Sequence, residues 1–142
     1  MKSPRNDKQL FMNGTCCVNL IEAAEQAGVS TLILMSAQIP FPLKTNRFAY
    51  YRGKQQALRR AEQFSKSSDS KSTFILKPGV ITGKRTLPSG KSVRIDWMTA
   101  PISWALPWQF VSVERVAQRI ANCVAVSDTS VTKLTVFENK LI

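Results

Sequence analysis

Two short, uninterrupted apolar runs constrain the fold of this chain more than any other feature. Residues 31–35 (TLILM) and 73–76 (TFIL) are bounded by Gly, Ser or Pro, and each follows a stretch with helical periodicity. A continuous apolar run of this length suits a strand that is buried on both faces of a sheet. Because helices and such strands alternate along the chain, we predict an α/β fold with a parallel sheet flanked by helices.

The remaining pattern predicts three helices, a late strand and a loop. The first helix covers residues 10–27 and ends at Gly28, the second covers 47–64, and the third runs from a Ser112 cap to about residue 126. Residues 132–137 alternate as a strand does, and residues 82–94 are predicted to form a basic loop. The side chains expected to face the core at helical spacing are Phe11, Val18, Ile21 and Ala24, then Ala57, Leu58, Ala61 and Phe64, then Val113, Val116, Ala117, Ile120 and Val124.

The composition excludes several kinds of catalytic site. The 142 residues, which we expect to form a single domain, include no histidine and three cysteines, two of them adjacent at Cys16 and Cys17. Without histidine there is no Ser-His-Asp triad and no Cys-His pair. The cysteine spacing predicts neither a disulfide framework nor a metal site, and we expect a reducing, intracellular setting.

The positive charge is concentrated in the middle of the chain. The net charge is +11, and residues 44–94 alone contain 13 Lys and Arg against two acids. Such an excess is compatible with a solvated basic surface, with binding of a cofactor phosphate, with an anionic membrane surface, or with an RNA-containing complex as partner. Aromatic residues are not interleaved with the basic ones, so nucleic acid is not predicted as a partner.

A tyrosine and a lysine in the second predicted helix form the candidate catalytic site. Tyr50 and Lys54 are four residues apart and therefore share one face of the helix. The ammonium is expected to stabilise the phenolate and to lower the tyrosine pKa below its usual value of about 10. Ser36, at the end of the first strand, is placed to hold a carbonyl or hydroxyl oxygen. Tyr51 is set aside because Gln55 stands at the matching distance, and a plain amphipathic helix surface is the alternative interpretation of the pair.

The order and spacing of several motifs resemble the C-terminal part of an extended or atypical short-chain dehydrogenase/reductase. The similar stretches are Asn-Gly-Thr at residues 13–15, the Ser-ending strand within 28–37, Tyr-x-x-x-Lys at 50–54, Lys-Pro-Gly-Val-Ile-Thr-Gly at 77–83, and the helix within 111–126. The nearest subgroup is the mitochondrial dehydrogenase-like group linked to ubiquinone biosynthesis. The resemblance implies a Rossmann-like sheet, NAD(P)-dependent oxidoreductase chemistry on a quinone or lipid-like substrate, and a mitochondrial setting.

The resemblance also implies a role for individual residues. Tyr50 would be the general acid/base, Lys54 would lower its pKa and contact the nicotinamide ribose, and Ser36 would orient the substrate oxygen. No metal is implied. The residues that would lie near the nicotinamide of NAD or NADP follow the next strand, namely Pro78, Gly79 and Val80.

One part of the family pattern is not found among the 142 residues. The glycine-rich phosphate loop, which opens the sheet of such enzymes, has no counterpart here, so the domain is predicted to be an incomplete Rossmann-like sheet. Strand 31–35 would then expose an edge, which predicts a protein partner that covers it. We therefore expect this chain alone to be inactive. A non-catalytic accessory subunit of a larger complex that kept the scaffold is the alternative function.

A Trp- and Pro-rich segment precedes the third predicted helix. Residues 97–113 contain all three tryptophans and no charged residue. We predict a substrate-side segment packed onto the core, and the alternative is a surface that faces a membrane or a quinone. Pro101 and Pro107 interrupt the segment, so it is not predicted to span a membrane.

Overall fold

The computed structural model describes residues 4–39, 44–45, 47–86, 89–94, 109–127, 134–139 and 142. These residues form an α/β fold with a parallel three-stranded sheet flanked by helices, as predicted. The elements in chain order are α1 (Pro4–Leu10), a π-helical turn (Phe11–Thr15), α2 (Cys16–Gln26), β1 (Thr31–Met35), α3 (Ala49–Lys66), β2 (Ser72–Lys77), β3 (Val80–Thr82), β4 (Lys84–Thr86), β5 (Ser92–Arg94), β6 (Phe110–Ser112), α4 (Val113–Ser127) and β7 (Leu134–Glu138).

The main sheet has the order β1-β2-β7, and both of its strand pairs are parallel. Strand β2 is buried along five of its six residues because it lies between the other two strands. Strand β1 matches the predicted bounds, but the prediction that it is buried on both faces is wrong. It is only partly buried, since among the described residues it pairs with β2 alone. This arrangement is consistent with part of a Rossmann-like sheet.

The N-terminal helix begins earlier than predicted and ends where predicted. Helical structure extends through the π-helical turn to Gln26, and Gly28 follows with a positive φ of 73°. The amide of Gly28 donates to the carbonyl of Glu25 and that of Val29 donates to the carbonyl of Ala24, which is the Schellman arrangement. Phe11 is exposed, contrary to prediction, because it lies in the π-helical turn.

Helices cover both faces of the sheet. On one face, Ile21 of α2 packs with Ala61 and Phe64 of α3 against two side chains of β1, Leu32 and Leu34. On the opposite face, α4 packs against Phe74 and Leu76 of β2. Ala57, also predicted as core, is buried, and Leu58 is half-buried. The core therefore has two separate layers divided by β2.

The buried face of α4 differs from the predicted one. Val116 is buried and Ile120 is half-buried, as expected, but the next contact is Cys123. Val113, Ala117 and Val124, predicted as core, are exposed. The stripe at spacings of four and three residues is the one that meets β2, whereas Val113, Ala117 and Val124 lie on the neighbouring flank of the helix, which is exposed. Ser112 caps the helix as predicted, since its Oγ accepts a hydrogen bond from the Arg115 amide at 3.3 Å.

The basic stretch predicted as a loop contains regular structure. Strand β3 pairs in parallel with β6, and β4 pairs with β5 as an antiparallel hairpin in which Lys84 stands opposite Arg94. Gly90, which has a positive φ of 78°, lies between the two strands of the hairpin. Each ladder is only three residues long, and a ladder of that length leaves little periodicity in the sequence.

Candidate active site

The carboxyl ends of the three parallel strands lie side by side and are joined by hydrogen bonds. The amide of Ser36, just after β1, donates to the carbonyl of Leu76 at 2.8 Å, and the amide of Gln38 donates to the carbonyl of Pro78 at 2.8 Å. After β7, the Oδ1 of Asn139 accepts a hydrogen bond from the Gly79 amide at 2.8 Å. The segments that follow the strands are therefore fixed to one another, and Ser36 is buried among them.

Tyr50 and Lys54 lie together on α3, above the end of β1. The Lys54 Nζ is 5.6 Å from the centroid of the Tyr50 ring, a cation–π distance. The same ammonium donates to the carbonyl oxygen of Met35, the last residue of β1, at 3.4 Å. The spacing of four residues thus places the cation beside the tyrosine and next to the strand that ends at Ser36.

The pKa of Tyr50 is raised, which corrects the expectation that Lys54 lowers it. Burial of the phenol raises the pKa above the usual value of 10 because the phenolate is deprived of water. The ammonium of Lys54 lies over the ring, and its attraction to a phenolate does not outweigh the burial. Tyr50 is therefore a neutral phenol at pH 7, and its hydroxyl can donate a proton.

Two neighbouring cavities meet at residues 37–39. The first, of about 680 Å³, is lined by Tyr50 and Phe48 together with Arg5, Asn6 and Gln9 of α1. The second, of about 210 Å³, is lined by Ser36, Lys54 and Tyr51. The structure therefore brings Ser36 and Lys54 to one cavity and places Tyr50 in the adjoining one. Tyr51, which the sequence gave no reason to choose, faces the cavity that contains Ser36.

The residues expected near a nicotinamide do not line either cavity. Pro78 is buried, and its carbonyl is occupied by the amide of Gln38. The amide of Gly79 is occupied by Asn139, and Val80 is exposed at the start of β3. These residues organise the turn after β2. Segment 97–108, predicted to lie on the substrate side, falls outside the described residues.

Gln38 is a candidate site residue that the sequence did not single out. It lines both cavities, and its Oε1 is buried without a hydrogen-bond partner among the described residues. A buried amide oxygen without a donor is costly, so such an atom commonly marks a place where a ligand or water supplies the donor. Its position two residues after Ser36 at a strand end was the only signal in the sequence.

Two glycines, Gly14 and Gly53, allow the π-helical turn and α3 to approach each other closely. A Cβ on Gly53, which lies between Tyr50 and Lys54 in the sequence, would meet the backbone carbon of Asn13 at 3.0 Å. A Cβ on Gly14 would meet the Cα of Gly53 at 2.9 Å. The π-helical turn and α3 therefore cross at van der Waals contact of their backbones. This crossing holds α1 next to Tyr50, where it closes one side of the larger cavity.

Comparisons with known proteins gave no assignment: no family model, no curated protein and no solved structure matches the chain. Among the described residues, no group of three or more His, Cys, Asp or Glu side chains is placed to hold a metal ion. Within the same part of the chain, every helix is too short or too polar to cross a membrane.

Proposed function

We propose that this chain is a module of an NAD(P)-dependent oxidoreductase of the short-chain dehydrogenase/reductase type, in which Tyr50 donates a proton to a substrate carbonyl. The observation that carries the proposal is the position of Lys54. Its ammonium contacts the ring of Tyr50 and also lines the cavity of Ser36, at the carboxyl end of a parallel sheet. Ligands of open parallel sheets bind at this end of the strands.

The protonation state of Tyr50 favours reduction over oxidation as the working direction. A phenol whose pKa is raised by burial holds its proton at neutral pH, so it can protonate the oxygen of a carbonyl as that oxygen gains negative charge. Ser36 lines the adjoining cavity and can donate a hydrogen bond to a substrate oxygen that lies at residues 37–39, where the two cavities meet. Lys54 offers positive charge to the same oxygen.

The residues present fit only one end of a nicotinamide dinucleotide. Lys54 and Ser36 supply polar contacts of the kind that a ribose or a nicotinamide requires, whereas the chain contains no glycine-rich loop for the pyrophosphate. When bound, NADH or NADPH would supply the hydride for the carbonyl carbon. Binding of the whole cofactor would need a phosphate-binding element in addition to these 142 residues, which is why we propose that the chain alone is inactive with the dinucleotide.

The larger cavity favours a bulky, partly apolar substrate. Its volume of about 680 Å³ suits a ring system of the size of a quinone, and its walls combine Phe48, Ile39 and Ala37 with the polar side chains of α1. Tyr50 forms part of the wall, so its hydroxyl can reach a carbonyl bound there. A quinone or a lipid-like carbonyl compound is therefore the proposed substrate class, with mitochondrial quinone metabolism as the proposed setting.

Paired tyrosine variants test the proposal. A short-chain benzoquinone and reduced nicotinamide mononucleotide, a hydride donor that needs no pyrophosphate site, are offered to the full chain, and oxidation of the nicotinamide is followed for the wild type, Tyr50→Phe and Tyr51→Phe. We expect Tyr50→Phe to lose about 100-fold or more in rate, the usual contribution of general acid catalysis. Circular dichroism should show that the variant remains folded.

The adjacent tyrosine makes the test specific. A large loss in Tyr51→Phe with full rate in Tyr50→Phe would overturn the assignment of the proton donor. Lys54→Gln should also lower the rate, whereas Lys66→Gln, at the exposed end of α3, serves as a matched control for loss of one charge. Equal rates in Lys54→Gln and Lys66→Gln would remove Lys54 from the mechanism.

A non-catalytic accessory subunit is the second candidate function. The open side of β1 favours it, because among the described residues no strand pairs there and a partner strand would satisfy its backbone. Titration with reduced nicotinamide mononucleotide separates the two candidates. Saturable quenching of the protein fluorescence supports the oxidoreductase, whereas an unchanged signal together with incorporation of the chain into a larger assembly supports the accessory role.

A further inference from the structure

The smaller cavity is surrounded by more positive charge than the oxidoreductase chemistry requires. Three lysines line its wall, Lys44, Lys54 and Lys77, and Glu138 is the acid that lines it with them. Lys44 lies in the chain before α3, Lys77 is the last residue of β2, and Glu138 is the last residue of β7. We propose that this cavity binds a phosphate monoester and that Lys44 and Lys77 hold its phosphate group.

The charge balance of the cavity matches a dianion. Three ammonium groups against one carboxylate leave an excess of two positive charges, and a phosphate monoester carries a charge of about −1.5 to −2 at pH 7. Lys77 stands directly opposite Glu138 in the sheet register, yet they form no ion pair within 4.0 Å. The Lys77 ammonium is therefore available to a ligand.

The buried oxygen of Gln38 indicates a second feature of the ligand. Its Oε1 lies in the wall shared by both cavities and has no donor among the described residues. A hydroxyl group on the ligand would supply that donor, while the lysines hold the phosphate. A volume of about 210 Å³ accommodates a phosphate with a short hydroxylated carbon chain or with one sugar ring. A small, hydroxylated phosphate monoester therefore fits the cavity in size, charge and hydrogen bonding.

The role of this phosphate site in the reaction rests on the proposed function, because Ser36 and Lys54 line the same cavity. The phosphate could belong to the nicotinamide nucleotide itself or to a phosphorylated substrate, and the chemistry recognised is the same. Binding is measurable without turnover. A failed turnover assay would thus leave phosphate binding intact, and a failed binding assay would leave the role of Tyr50 intact.

The test is isothermal titration of the full chain with four probes at fixed, moderate salt. The probes are inorganic phosphate, glycerol 3-phosphate, nicotinamide mononucleotide and glycerol. We expect the three phosphates to bind and glycerol to fail. The variant Lys44→Gln/Lys77→Gln should bind the phosphates about tenfold or more weakly, because two charge-assisted contacts are lost. The matched control Lys66→Gln/Lys91→Gln removes the same charge from exposed positions outside the cavity and should bind within about twofold of wild type.

The ranking of the probes identifies the source of the phosphate. Tightest binding of nicotinamide mononucleotide assigns the site to the nucleotide, and tightest binding of glycerol 3-phosphate assigns it to the substrate. Gln38→Leu should remove the advantage of glycerol 3-phosphate over inorganic phosphate. The proposal is overturned if no phosphate binds at millimolar concentration, or if the control pair weakens binding as much as Lys44→Gln/Lys77→Gln does.

Discussion

The ammonium of Lys54 lies where the main components of the candidate site meet. It touches the ring of Tyr50, donates to the carbonyl of Met35 and lines the cavity of Ser36. Because the hydrogen bond to Met35 ties the side chain to the end of β1, the cation is directed toward the strand ends. Its effect on Tyr50 is smaller than that of burial, so the phenol stays neutral at physiological pH.

The raised pKa of Tyr50 predicts the pH dependence of reduction. Under the proposed function the proton donor is the neutral phenol of Tyr50, which persists up to a pKa above 10. We therefore expect the rate of carbonyl reduction to depend little on Tyr50 ionisation between pH 7 and 9 and to fall only as pH rises through the raised pKa. Ultraviolet difference titration of the wild type against Tyr50→Phe measures the same ionisation directly. A tyrosine that titrates below 10 and disappears in Tyr50→Phe would contradict the expectation.

At the scale of elements, the turn between β2 and β3 allows almost no added volume. A Cβ on Gly79 would stand 2.1 Å from the backbone oxygen of Gln109, and backbone cannot rotate away as a side chain can. Gly79→Ala should therefore lower the free energy of unfolding by about 1–3 kcal/mol, the usual cost of forcing extra volume into a packed site. Urea denaturation measures the change.

Gly90→Ala is the matched control for that substitution. Gly90 has open space around it, and its positive φ of 78° should cost about 1–2 kcal/mol when a Cβ is added. Gly79→Ala should be the more destabilising of the two, and it should also disturb the Asn139 contact to the Gly79 amide. A Gly79→Ala variant as stable as the wild type would mean that the turn relaxes without cost.

An ion-pair cluster joins α2, α3 and the start of β2. The carboxylate of Glu25 contacts the Arg60 guanidinium and the Lys71 ammonium, the latter at 2.9 Å. Hydrogen bonds from Lys71 and Arg60 lower the pKa of Glu25 from 4.5 to about 2. Since the folded pKa is depressed, this contribution to stability is complete above pH 4.5 and is lost as pH falls toward 2.

Glu25→Gln should therefore unfold at lower urea concentration than the wild type at pH 7. Its stability should also change less between pH 4.5 and pH 2, because the depressed carboxyl group is gone. Glu62→Gln on α3 is the matched control, since Glu62 forms no ion pair among the described residues. If the free energy of unfolding of Glu25→Gln depended on pH as that of the wild type does, the cluster would not stabilise the fold.

The elements that could be predicted from sequence are those whose pattern is local. The bounds of strand β1 and the cap at Ser112 depend on neighbouring residues alone, and both were predicted correctly. The buried face of α4 was partly wrong because apolar residues occur on more than one side of it, and only the contact with β2 selects Cys123. Gln38 was missed for the same reason, since its burial depends on the turn at Pro78, which is distant in the sequence.

At the scale of the whole molecule, the two outer strands of the main sheet differ from the inner one. Strand β2 is covered on both sides, whereas β1 and β7 each pair with one strand among the described residues. Several apolar side chains near β1 are exposed, including Val29 and Met35. An open, apolar strand edge is a template for pairing with another chain, so the isolated protein should associate with itself through β1 when no partner is present.

A single charge on β1 tests this expectation. Met35→Lys places an ammonium at the end of the strand, where two copies paired edge to edge would bring like charges together. Light scattering after gel filtration should show dimers or larger species for the unsubstituted chain and a smaller average mass for Met35→Lys. Val80→Lys adds the same charge on β3, outside the main sheet, and should leave the mass unchanged. A monodisperse, stable monomer of the unsubstituted chain would show that the edge of β1 is already protected and would remove the main argument for a partner.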